Sequence, residues 1–218
     1  MPRKHPPQPA FHQPVELAYP PMTPPLGCTV EVDAHHPYLK TRGLTPETIA
    51  DFGLGFSRSE ACLKSRILIP VHNAAGDLVG YAGRWPGDPL PRERSKYRFH
   101  GPIHDELFNL HRVLQVGGTF PVLLVPGFFD LFHLRQRGCE CVVALLGTEL
   151  RSLQLRRLLH HFPTRQFVVL YDATETGREG RERTVNRLSS YAFVRAPEFL
   201  TDGRTVQSLT REEIMEEL

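Results

Sequence analysis

The sequence predicts an α/β fold, with a central, mainly parallel four-stranded sheet over residues 119–200 preceded by a small α+β subdomain over 36–118. Three observations carry that expectation. From Val122 onward, the apolar runs PVLLV, CVVALL, QFVVLYD and AFVRAP alternate with helical stretches such as SLQLRRLLHHF and GREGRERTVNRLSSY. Such βαβ alternation builds parallel sheets with right-handed crossovers. Earlier, Ile67–Val71 and Leu78–Ala82 flank the turn NAAGD and read as a β-hairpin. Finally, 218 residues with 40% hydrophobic content suffice for one large domain or two small ones.

Each element follows in order. Residues 1–35 are dense in proline from Pro2 to Pro25 and predict an extended linker or arm, because proline fixes φ and removes a donor. Thr45-Pro46-Glu47 is a helix start, with Thr45 as N-cap, proline at the first helical position and an acid in the first turn. Ile49 and Phe52 give that helix its apolar face, and Gly53 and Gly55 stop it. The stretch PGDPLPRERSKYRFH reads as a polar, proline-broken loop, and HDELFNLHRVL as a short helix. A helix from Phe129 to Gln136 ends at Gly138, and residues 201–218 form a C-terminal helical tail ending in REEIMEEL.

Charge nearly cancels, with 26 Lys and Arg against 24 Asp and Glu. Any binding of nucleic acid must therefore rest on a local patch rather than a global field. The basic residues other than Lys4, Lys40, Lys64 and Lys96 are all arginine, the better residue for bidentate phosphate contact. Cys28, Cys62, Cys139 and Cys141 contain no C-x-x-C pair, so no zinc site is expected in this chain, and Cys139 and Cys141 read as small buried hydrophobes. His160 and His161 read as a solvated face. No leader with an apolar core and no membrane-length run is visible, so a cytoplasmic protein with no membrane partner is expected.

In open parallel sheets chemistry gathers beyond the carboxyl ends of the strands. Three turns lie there: VPGFFD, LLGTEL and YDATETGREG. They bring Asp130 and Asp172 toward one crevice, where two carboxylates would suit Mg²⁺. The simpler roles are an N-terminal helix acid for Asp130 and a cap of the strand-end turn for Asp172.

The order and spacing of YLKTRGLTPETIADFGLGF, SRILIPVHNAAGDLVGYAGR, SKYRF, ELFNLHR, VPGFFDLFHLRQRGCECVVALLGTEL and YDATETGREG resemble the catalytic core of bacterial DnaG-type primases, including its Toprim domain, over about residues 36–210. The PGFFD, FNLHR and GYAGRW variants resemble shortened primase-like proteins of mobile elements. The resemblance implies a Toprim fold for 119–200 and Mg²⁺ or Mn²⁺ as cofactor. It also implies single-stranded DNA or RNA as partner, with a helicase or another replication or mobile-element protein as a further one. The positions matching the family's template-guiding residues are Arg66, Arg84, Lys96, Tyr97 and Arg98.

The departures fall on the acidic motifs. Where the family has E-G-Y/F-x-D, the Glu position is Pro126, with Gly127 and Asp130 kept. Where it has D-G-D-x-A-G, this chain has Asp172-Ala173-Thr174-Glu175-Thr176-Gly177, so the second Asp is Thr174. Where it has G-x-D-P-D, this chain has Gly203-Arg204-Thr205-Val206-Gln207. Pro126 cannot coordinate a metal or move a proton, and Thr174 and Gln207 are weak neutral ligands. Asp130 and Asp172 remain as a residual metal pair. Two-metal phosphoryl transfer needs several carboxylates to hold and neutralise its ions. The sequence thus points to a primase-like core that binds single-stranded nucleic acid with a degenerate, inactive metal site. An active primase making RNA primers and a protein-interaction module of a mobile element are the alternatives.

Overall fold

The computed structural model describes residues 21–59, 63–116, 121–163, 166–197 and 204–216. Cys62 and Gly203 lie outside the described residues. The first unit contains helices α1 (Pro37–Thr41) and α2 (Pro46–Asp51). Its sheet is β1 (Gly55–Ser57), β2 (Arg66–His72), β3 (Leu78–Arg84) and β4 (Tyr97–His100), antiparallel throughout in that order. Helix α3 (Leu110–Val113) leads into β5 (Val122–Val125), α4 (Phe128–Gln136), β6 (Val142–Ala144), α5 (Ser152–His161), β7 (Phe167–Val169), α6 (Glu175–Ser189) and β8 (Val194–Arg195). These four strands form one all-parallel sheet in the order β6-β5-β7-β8. A 3-10 turn (Val206–Ser208) and α7 (Arg211–Glu216) are the last elements among the described residues.

The parallel sheet and the hairpin stand as the sequence predicts, and Thr45 caps α2 by accepting the Thr48 N–H. The first sheet is larger than a hairpin. Gly55–Ser57 pairs with β2, and Tyr97–His100 is a strand within the run expected to be a loop. The reason is alternation: Tyr97 and Phe99 pack on the core while Arg98 stays exposed. Helix α3 is shorter than HDELFNLHRVL suggests, because Asn109 adopts a left-handed backbone (φ 73°) and Phe108 pairs with Ala144 as a bridge. The described part of the proline-rich arm is extended, but it is bound. The Leu26 N–H donates to Leu78 O at 2.6 Å and the Val30 N–H to the Tyr81 hydroxyl at 3.1 Å. Leu26, Val30 and Val32 thereby cover Leu68 and Tyr81 on the outer face of the first sheet.

One core joins the two units. Ile67, Ile69 and Val71 from β2 share a cluster with Leu123 and Val125 from β5 and with Phe128, Phe129 and Phe132 from α4. Phe132 is fully buried, and its ring lies 4.8 Å from Phe52, 5.9 Å from Phe108 and 5.7 Å from Phe129. Polar links reinforce the junction. Gln136 on α4 accepts from Thr45 N and donates to Gly43 O, and His133 Nε2 lies 3.0 Å from Arg42 O. Deeper in, the Arg157–Glu106 ion pair at 2.9 Å is almost wholly buried, and Arg157 also donates to the carbonyls of Asp105 and Pro21.

Removing the Phe132 ring leaves a cavity at the junction of both units. Phe132→Ala is expected to lower unfolding free energy by about 3–5 kcal/mol in denaturant titration. A loss under about 1 kcal/mol would mean that the units do not depend on this contact.

Candidate functional site

Strands β5 and β7 are hydrogen-bonded neighbours. Their carboxyl ends therefore deliver Asp130 and Asp172 to one crevice, as expected of the two turns. Asp130 lies in the first turn of α4 and is only 7% exposed. It also accepts the N–H of Gly127, the N-cap residue. The second partner of Asp130 comes from far along the chain: Gln207 Nε2 donates to Asp130 Oδ1 at 2.8 Å. Asp172 is held by the same returning segment, accepting the Val206 N–H on Oδ1 at 2.8 Å, while the Ala173 N–H donates to Arg204 O at 3.1 Å. Gln207 is itself fixed, its Oε1 accepting from Arg42 at 3.4 Å and its carbonyl from Arg137 at 2.8 Å.

Burial pushes the Asp130 carboxyl up to about 6; the Asp172 charge adds to the rise, and the hydrogen bonds from Gln207 and Gly127 and the charge of Arg42 oppose it. Thr174 takes no part in the crevice through its hydroxyl as the matching Asp would. It is the N-cap of α6, and its Oγ1 accepts the Gly177 N–H at 3.1 Å. Gly177 must be glycine there, since a Cβ would fall 2.1 Å from Asp172 O. Pro126 offers only its carbonyl, which accepts from Gly147 N at 3.0 Å. Among the described residues, no three His, Cys, Asp or Glu side chains are grouped to hold a metal ion.

The basic positions divide into two kinds. Lys96 and Arg98 are exposed. Burial and the charges of Arg84 and Arg42 lower the Lys96 ammonium's pKa, and Asp130 and Asp172 partly offset them, which places Lys96 at the rim of the acidic crevice. Arg84 donates from Nε to the Tyr38 hydroxyl at 2.7 Å, and its guanidinium carbon lies 5.1 Å from the Tyr97 ring centroid and 5.5 Å from that of Phe129. Arg42 lies 4.6 Å over Phe129 and was not singled out in the sequence. One expectation needs correction. Arg66 is 2% exposed and donates to the carbonyls of Gly83 and Lys96, so it ties β2 to its neighbours instead of facing a strand of nucleic acid. Tyr97 is half-buried and packs against Phe128 at 5.7 Å, and burial pushes its hydroxyl up to about 12. The period-2 alternation of β4 decides both of its neighbours' fates, turning Tyr97 inward and Lys96 and Arg98 outward.

An acid whose folded-state pKa is raised stabilises the fold at low pH and loses that contribution as pH rises through the folded value. For Asp130 the loss runs from the ordinary Asp range to about pH 6. Asp130→Asn keeps an oxygen for Gln207 and removes the buried charge. It is expected to stabilise the protein by up to about 3 kcal/mol at pH 7.5 and by little at pH 4. Thermal melts of both proteins at the two pH values check this; destabilisation at pH 7.5 would contradict it.

Comparison with known proteins agrees with this geometry. The Toprim domain family matches residues 121–195. A DNA primase of Pasteurella multocida is 29% identical over 209 residues, covering 78% of this chain and 34% of that protein. A DNA primase of Aquifex aeolicus is 26% identical over 219 residues, covering 83% and 43%. The chain thus spans about a third to two fifths of the length of these relatives. Among solved structures, the zinc-binding and RNA polymerase domains of the Aquifex aeolicus primase superpose with a TM-score of 0.69 at 24% identity, covering 83% of this chain and 54% of that one. A DnaG primase catalytic domain bound to ssDNA superposes with a TM-score of 0.65 at 23% identity, covering 84% and 69%. Residues 121–195 match the Toprim domain family, and the chain is similar in sequence to DNA primases and shares the fold of DnaG catalytic cores.

Proposed function

We propose that this core binds single-stranded nucleic acid along the basic rim between its two units, and that its acidic crevice no longer serves a divalent ion or primer synthesis. The observation that carries the reading is the crowding of Arg42, Arg84 and Lys96 around a crevice whose two carboxylates are already engaged by protein donors. Arg98 extends the rim on β4. Cations of this kind follow a phosphate backbone. The related catalytic domain solved with ssDNA supports the choice of partner.

The donor set fits a divalent ion poorly. Mg²⁺ asks for oxygen ligands in near-octahedral array. Here an amide N–H of Gln207 points at Asp130 Oδ1, a backbone N–H points at Asp172 Oδ1, and the Thr174 hydroxyl caps a helix. The Lys96 ammonium already supplies positive charge beside the carboxylates. What remains for this chain's residues is binding: Arg84, Lys96 and Arg98 neutralise phosphates, and Arg42, stacked on Phe129, holds the rim in place.

Each phosphate neutralised on a single strand contributes about −0.7 to the log–log salt slope, so contacts from Arg84, Lys96 and Arg98 give about −2. Fluorescence anisotropy of a labelled single strand across a salt series is expected to show that slope, and changing Lys96 and Arg98 together to Ala should flatten it by about 1.4. Undetectable binding at low salt would leave a protein-interaction role instead. With single-stranded DNA, nucleotides and Mg²⁺ or Mn²⁺, no RNA primers are expected; template-dependent synthesis that Asp172→Ala abolishes would overturn the inactive-site reading.

A further inference from the structure

We propose that Trp85 is a stacking platform for a base of the bound single strand, placed at the end of the basic rim. The inference rests on the nucleic-acid reading above and adds to it a residue and a mode of contact. Trp85 is the chain's only tryptophan. It follows β3 directly, one residue after Arg84, and its backbone N–H donates to Lys96 O at 3.0 Å. The indole is therefore fixed to the same strand pair that presents Lys96 and Arg98.

Its surroundings are unusual for a packing residue. Trp85 remains partly exposed, and the Arg94 guanidinium carbon lies 4.4 Å from the ring centroid. Arg66 lies 5.8 Å from the same centroid and is held from behind by the Gly83 and Lys96 carbonyls. The indole N–H is out of contact with solvent and has no acceptor. Gly87 lies close by, where a Cβ would come 2.7 Å from Nε1. Gly87 thus adjoins the pyrrole edge, and the exposed Arg94 lies over the ring.

A cation–π contact at such a site is weaker than a base stack, so a base displaces Arg94 from the ring. Because every base has a π-face, the contact tolerates any sequence. The plain alternative is that Trp85 only anchors the 86–95 loop through Arg94.

The test titrates the full chain with a labelled oligothymidylate and with an abasic strand of equal length, reading anisotropy and indole emission together. Oligothymidylate is expected to quench the indole over the concentration range in which anisotropy rises. The abasic strand should bind more weakly and leave emission unchanged. Trp85→Ala should weaken oligothymidylate binding by about 5- to 100-fold with an unaltered salt slope, and Trp85→Phe should restore most of the loss. If the abasic strand binds as tightly as oligothymidylate, or Trp85→Ala binds like the parent, the stacking role is wrong while the basic rim stands. If no strand binds, the nucleic-acid reading fails and the stacking role fails with it.

Discussion

Phe128, Phe129 and Phe132 leave helix α4 toward the first unit, and Asp130, on the same helix, faces the crevice. That division of one helix constrains nearly everything else in the molecule. The three rings pack against Phe52, Phe108, Tyr38 and Tyr97, so the antiparallel unit cannot shift on the parallel sheet without opening an aromatic cluster. Edge-to-face pairs of this kind add about 0.5–1.5 kcal/mol each beyond their burial. The same cluster fixes the charges, since Arg42 and Arg84 both lie over Phe129. A guanidinium stacked on a ring and bonded at one edge keeps its remaining donors aimed in a fixed direction. Core and basic rim are thus two sides of one arrangement.

The crevice obeys the ordinary rule that buried polar groups find partners. Asp130 is nearly enclosed beside a second carboxylate, which is unfavourable for two charges unless something neutralises them. A divalent ion is one solution. In this structure a side-chain amide and a backbone N–H hydrogen-bond the two carboxylates, and burial still holds the Asp130 carboxyl above its ordinary range. Pro126 belongs with this arrangement, because its ring brings no further polar group that would need satisfying.

Much of this was legible in the sequence, and the parts that were not have identifiable causes. Four apolar runs separated by helical periods specify a parallel sheet, and Thr45-Pro46 carries its own capping chemistry. Strand β4 was hidden because four alternating residues sit at the end of a proline- and arginine-rich run, where turn chemistry dominates a short window. Thr174 carried a capping signal, a hydroxyl residue three positions before Gly177, but its correspondence to a family carboxylate drew attention away from it. The positions of Asp130, Asp172 and Gln207 around one crevice followed from motif order. The direction of the Gln207 amide toward Asp130 did not, because a side-chain contact across 77 residues leaves no local pattern. Arg66 and Arg98 are alike in composition and opposite in burial, a distinction set by strand register alone.

The distance along the chain between Asp130 and Gln207 also has a meaning in time. On a ribosome adding about 5–20 residues per second, the 77 residues that separate them take roughly 4–15 seconds to make. Strands β6 and β7 are made within that interval, so once Asp172 has followed Asp130 the two carboxylates still have no returning segment to meet. The nascent protein is therefore an open-creviced species, more acidic at that face than the finished one.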